Sequence, residues 1–198
     1  MSYLVRTLTL IAAFAVTAAA ATAQSTTDAS SPAMATVPPK APTYPVPKKP
    51  DFSSMQFLIG TWNCSSHSER RGGEVTRIIS TYSMAPDGYF MKQVSKSPKV
   101  SYSAVGFTST DWITYDSRAS RWIDVSVGSY GGYGYSTSTG WEHGHILWGA
   151  DSFLPDGDVT SSTGTMMTKV SDTKLTTASA FTTTAGLLNR VTGVCTKQ

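Results

Sequence analysis

The sequence predicts an all-β protein, and three observations carry that expectation. About ten short segments rich in Val, Ile, Thr, Tyr and Trp follow Phe57 at close spacing. Turn signals separate them, among them Pro86-Asp87-Gly88 and Gly131-Gly132. No segment sustains helical periodicity, and the one helix candidate is the short stretch 51–57. Such a series fits either an antiparallel sandwich or an up-and-down closed barrel.

Each element has a local reason. Residues 59–68 form the first strand, and Arg70-Arg71-Gly72-Gly73 turns the chain. In 74–84, Val75, Arg77 and Ile79 alternate with Thr76, Ile78 and Ser80, which places the two sets on opposite faces. Pro86 presets φ and Gly88 tolerates positive φ, so the chain turns there before a third strand over 89–95. Residues 101–115 suit one bent strand, bulged near 108–111. Residues 116–120 make a hairpin turn into a strand over 121–130. Gly131-Gly132-Tyr133-Gly134 reads as a glycine-rich connection. Residues 135–142 and 145–150 form a hairpin around His143-Gly144. A turn at 154–158 and strands over 159–170, 174–183 and 189–197 complete the set.

The two cysteines favour the barrel. Cys64 lies early in the first strand and Cys195 near the end of the last. In a closed barrel with an even strand number, those strands run side by side and antiparallel, so the two thiols face each other across the seam. An exported protein would join them as a disulfide. The bond would suture the place where the barrel can open and expose strand edges.

Export is the expected fate of the chain. Arg6 precedes an apolar run over residues 8–21, which ends at Ala21-Thr22-Ala23. That layout is a secretory signal peptide over 1–23, too short for a spanning helix of about 20 apolar residues. The expected location is therefore secreted or periplasmic. Residues 24–50 hold most of the ten prolines and read as a semi-rigid, disordered linker. The domain itself is expected over 51–198.

Charge excludes one class of partner. The chain carries sixteen Lys or Arg against thirteen Asp or Glu, but the excess sits in Arg6, Lys40, Lys48 and Lys49. No basic cluster interleaves with aromatics, so no nucleic-acid footprint is present. No second long apolar run follows the first, so no integral membrane segment is expected in the mature chain.

Phe57-Leu58-Ile59-Gly60-Thr61-Trp62 resembles the Gly-x-Trp opening of calycin barrels, the group of lipocalins, fatty-acid-binding proteins and nitrobindin. Tyr115-Asp116 followed by Arg121-Trp122-Ile123-Asp124 resembles the middle of a bacterial calycin-like family of unknown function related to nitrobindin. The resemblance implies a barrel with a central cavity and Trp62 packed at its closed end. Nitrobindin-like haem binders also carry a proximal His late in the chain. Here the last histidine is His145, and neither Arg190 nor Lys197 replaces an imidazole as axial ligand. No cofactor is therefore expected.

Chemistry-bearing residues are few. His143 and His145 are two apart, a spacing that on a strand would let them share a metal, with Glu142 on the other face and His67 a third ligand only if the fold brings it close. Asp111, Asp116 and Asp124 are the candidate acids. Asp124 follows Trp122 by two, so if that face lines a cavity its carboxyl would be buried, raised in pKa and suited to general-base work. Asn63-Cys64-Ser65 matches a glycosylation sequon, but a disulfide at Cys64 disfavours its use. No Gly-x-Ser-x-Gly or phosphate loop occurs.

The aromatics point instead to binding. Trp62, Tyr82, Phe90, Trp112, Tyr115, Trp122, Trp141 and Trp148, with Asp124, are the expected ligand-contacting set. The Ser/Thr-rich runs 161–168 and 176–184 give either a polar outer face or a polar cavity wall. The function expected is non-catalytic binding of a small apolar molecule by an exported barrel. A cavity enzyme, a haem or metal barrel and a structural envelope module are the alternatives.

Overall fold

The structure, a computed structural model, describes residues 43–69, 74–100, 105–153, 159–182, 186 and 188–198. Eleven strands occur in chain order: β1 (Gly60–Ser68), β2 (Val75–Met84), β3 (Met91–Ser97), β4 (Phe107–Asp116), β5 (Arg121–Gly128), β6 (Tyr133–Ser138), β7 (Trp141–Glu142), β8 (His145–Phe153), β9 (Val159–Ser171), β10 (Lys174–Thr182) and β11 (Leu188–Lys197). All belong to the compact unit Val46–Gln198.

Apart from β6 and β7, sequential strands pair antiparallel, and two further pairings close the sheet on itself. One joins β1 to β11; the other joins β6 to β8, past the two-residue β7. The result is a closed ten-stranded antiparallel barrel with β7 as a ribbon at its rim. Closure removes the unpaired edges that an open sheet would present to other chains.

The seam is cross-linked. Cys64 and Cys195 stand directly opposite each other in the β1–β11 register and form a disulfide across 131 residues of sequence. Closing a loop of that length removes unfolded-state entropy worth up to about 5 kcal/mol on the chain-entropy model.

Turn chemistry follows the sequence where the turns are described. Asp116 Oδ1 accepts the Arg118 and Ala119 amides at 2.8 and 3.2 Å, and Asp87 Oδ1 accepts the Tyr89 amide at 3.0 Å. The turns expected at 70–73 and 154–158 lie outside the described residues.

Some boundaries differ from expectation for physical reasons. No bulge occurs at 108–111, where β4 keeps unbroken register with β3 and β5. The irregularities fall instead on the β8–β9 pair, with a register shift between Trp148 and Asp151, and on the β9–β10 pair, with shifts between Lys174 and Leu175 and between Ala180 and Phe181. Gly164 sits there at φ +118°, where an added Cβ would lie 2.8 Å from Leu147 Cδ1 and 2.9 Å from the Trp148 carbonyl. Only glycine fits that close approach. Tyr133 and Gly134 belong to β6, and the connection before it is a single 3-10 turn over Ser129–Gly131. The single strand expected over 135–142 is split near Gly140, whose φ of +116° breaks the extended run beside the Trp122 indole.

One end of the barrel is plugged. A 3-10 helix, Ser53–Leu58, inserts Met55 and Leu58 into the core. Trp62, with no exposed surface, donates its indole N–H to the Leu58 carbonyl at 2.7 Å. The Phe52 ring packs on Trp122 at 5.2 Å, and Phe57 meets Trp141 edge-on at 5.1 Å. Lys197 Nζ donates to the Phe57 carbonyl at 2.8 Å, and Lys169 Nζ lies 4.3 Å from the Phe57 ring centre. Burying each large side chain here stabilises by roughly 1.5–3 kcal/mol.

Candidate functional site

Strand alternation decides what the barrel encloses. Along β1 the inward positions are Trp62, Cys64, Ser66 and Ser68; along β2 they are Ile78, Ser80 and Tyr82; along β5 they are Trp122, Asp124 and Ser126. Large residues occupy the inward positions nearest the plug. Serines dominate farther along. Serine is too small to fill a ten-stranded barrel, so a cavity of about 410 Å³ remains inside.

Its wall has two characters. Met55, Leu58, Trp62, Ile146, Trp148 and Leu175 give an apolar floor. Above it stand Ser80, Gln93, Ser95, Ser109, Ser126 and Ser136. Several of these are linked: Ser80 Oγ and Ser95 Oγ lie 2.9 Å apart, and Gln93 Nε2 donates to Ser95 Oγ at 2.8 Å. The Cys64–Cys195 disulfide also lines the cavity.

Asp124 stands in this wall, and a second carboxyl, Asp111, sits on the adjacent strand. Asp124 on β5 pairs in register with Ile113 of β4 and Ser136 of β6, while Asp111 on β4 pairs with Ser126. Burial, then the Asp111 charge, pushes Asp124 up to about 7, against a hydrogen bond from Ser136. Burial pushes Asp111 up to about 6, against the Ser109 hydroxyl, which donates to its Oδ2 at 3.3 Å. The buried Tyr82 phenol is held well above its ordinary range by burial and then by both carboxyls. Asp124 Oδ1 and Trp141 Nε1 are both buried without a hydrogen-bond partner.

The residues expected to touch a ligand separate into three places. Trp62, Tyr82, Asp124, Trp141 and Trp148 line the cavity. Trp122 is buried below it, between Phe52 and Tyr115, whose ring lies 5.3 Å away. Trp112 is on the outer face, edge-on to Phe90 at 6.1 Å and under the Lys92 ammonium at 5.2 Å. The Ser/Thr runs divide as well: Thr165 and Thr177 line the cavity, whereas Thr182 is exposed.

The histidines do not share a strand. His143 and Gly144 are the two turn residues between β7 and β8, with φ of 51° and 84°, so strand alternation does not apply to the His143/His145 pair. His67 is exposed on the outward side of β1. Among the described residues no group of three or more His, Cys, Asp and Glu is placed to hold a metal ion.

Sequence reasoning named the aromatics and offered a polar wall only from the late Ser/Thr runs, missing the serines of β2 to β6. The usable signal was alternation: Gln93-x-Ser95-x-Ser97, Trp122-x-Asp124-x-Ser126 and Gly134-x-Ser136-x-Ser138 each run along one face. Met55 and Leu58 had no such signal, because they reach the lumen from the plug rather than from a strand.

No protein-family model and no curated protein matches the chain. Solved structures do match. Rv2717c from M. tuberculosis superposes with a TM-score of 0.57 at 11% identity, covering 74% of this chain and 96% of that one. The S-type phycobiliprotein lyase CPES from Guillardia theta gives 0.46 at 10% identity, covering 72% and 89%. The redesigned β-barrel mFAP0, solved bound to DFHBI, gives 0.40 at 14% identity, covering 72% and 100%. At 11% identity the likeness to Rv2717c is one of fold: the chain is similar to it as a barrel.

Proposed function

We propose that the barrel binds a small, mostly apolar molecule in its lumen without catalysing a reaction on it. One observation carries this reading: the cavity of about 410 Å³, with an indole-rich floor and a hydroxyl-rich wall. Ligand pockets of about 300–1,000 Å³ with apolar walls and a few convergent polar groups are typical of small-molecule sites. An apolar body would cover Trp62, Trp148 and Leu175, at roughly 25 cal/mol per Å² removed from water. A purely structural spacer has no use for such a void, which leaves lining atoms without packing partners.

A reaction in the lumen is the second reading, and Asp124 is what favours it. A carboxyl pushed up to about 7 is suited to general-base work. The described lining residues include no His, Lys or Arg to act beside it, so binding is the better account.

Export completes the proposal. The disulfide fits an oxidising compartment. Residues 1–23 would be removed, and 24–50 would tether the domain as a linker. No helix among the described residues is long and apolar enough to cross a membrane.

The binding test uses the neutral probe N-phenyl-1-naphthylamine with the purified protein. The expected result is saturable one-to-one fluorescence enhancement, reversed by competing apolar molecules. A flat titration with folded protein would end the reading.

A further inference from the structure

The lumen carries a charge pattern that a purely apolar ligand would leave unused. We propose that the cavity selects a hydrophobic cation, an alkyl- or arylalkylammonium whose nitrogen docks on Asp124. The inference rests on the lumen-binding reading and names its ligand class.

Five observations support it. Asp124 lines the cavity, and its Oδ1 is buried with no hydrogen-bond partner, although burying an unpaired acceptor is costly. Asp111 stands one strand away, opposite the lining residue Ser126, and adds a second acid behind the wall. The described lining residues include no Lys, Arg or His to neutralise them. Lys169 and Lys197 are engaged at the plug, both on Phe57, with Lys197 also 5.6 Å over the Trp62 ring. A ligand carboxylate would therefore meet like charge, and an ammonium would meet its complement. The lining adds the indoles of Trp141 and Trp148, a ring type whose quadrupole attracts cations. Together these make an apolar pocket with an anionic end.

The groups facing Asp124 define how pH acts on it. β4 presents Asp111, β2 presents Tyr82, β6 presents Ser136, and the plug contributes the uncharged Met55 and Leu58. Of these, only Asp111 changes charge in the same range as Asp124. A bound ammonium favours the carboxylate form, so binding near pH 7 should release protons. Affinity for the cation should then rise as pH increases from about 5 to about 8.

The experiment compares octylamine, octan-1-ol and octanoate by isothermal titration calorimetry on the purified protein. Octylamine should bind about tenfold tighter than octanol or better, and octanoate weakest. Repeating the octylamine titration near pH 7 in buffers of different ionisation enthalpy should show proton release. Asp124→Asn keeps the side-chain shape; it should erase the preference for octylamine over octanol and the proton release. Equal binding of all three, or tighter octanoate, would overturn the cation inference and leave the lumen reading standing. Binding of none, with folded protein, would remove both.

Discussion

The plugged half of the barrel and the half above it are built from the same strands, yet they do different work. At the plug, the inward positions are Trp62, Tyr82, Met91, Trp122 and Ile146, all buried, with Met55 and Leu58 driven in from outside the sheet. Above it the same strands turn inward Ser66, Ser80, Ser95, Ser126 and Ser136. Alternation continues along β1, β2 and β5 from one half into the other, so the backbone is not what distinguishes a packed core from a container there. Side-chain volume is. One half holds the barrel shut, and the other leaves room and supplies hydrogen bonds.

The sharpest way to break this contrast is to hollow out the plugged half. Trp62→Ala should cost about 3–5 kcal/mol, since it opens a void and strips the Leu58 carbonyl of its donor. Thermal unfolding would show it, and a loss below about 1 kcal/mol would mean that the plug is not the stability centre.

Removing the seam cross-link comes next. The Cys64→Ala/Cys195→Ala pair should lose about 2–5 kcal/mol. At roughly 2–4 °C per kcal/mol for a chain of this size, the melting temperature should drop by about 5–15 °C. Reduction of the parent protein should reproduce the shift.

In the upper half the expected stability effect depends on pH. Asp124 and Asp111 are held above their unfolded values, so the folded state binds more protons than the unfolded chain between about pH 4 and 7. Stability is therefore greatest in that respect below about pH 4 and is lost as pH rises through about 6 and 7. The ligand-free protein should be more stable near pH 5 than near pH 8, by an unfolding free energy of order a few kcal/mol. Asp124→Asn should flatten much of that slope. An unchanged slope would move its origin elsewhere.

The smallest stability effect belongs to the largest change in binding. Ser126→Leu puts an apolar side chain into the void and should alter stability by only about 1 kcal/mol while weakening probe binding. Trp112→Ala, on the outer face, should leave binding unchanged. Loss of probe affinity in Trp112→Ala but not in Ser126→Leu would reverse the assignment of inside and outside.

How far the residues announced this arrangement differs between the halves. The strand series and the seam were legible because turn residues such as Asp116 and Gly88 act locally, and because Cys64 and Cys195 mark the two ends of one sheet. The alternation Val75/Arg77/Ile79 against Thr76/Ile78/Ser80 was also legible, and the structure turns the second set inward. Which aromatics face the lumen was not. Trp112 and Trp122 both sit in good strands, and only the register across β4 and β5 sends one outward and the other into the plug. The approach of Asp111 to Asp124 likewise depends on that register, which no local pattern encodes. The His143-Gly144 turn shows the limit of spacing arguments, since i and i+2 share a face only while the chain stays extended.

The bond between Cys64 and Cys195 makes a covalent ring of nearly the whole barrel. A protease that nicks any one hairpin between them produces no separate fragments, because both pieces remain attached through sulfur. The cut chain would migrate as one molecule on a non-reducing gel and fall apart only with thiol present. In a milieu rich in peptidases, a container closed in this way tolerates a first wound to its rim without shedding a strand.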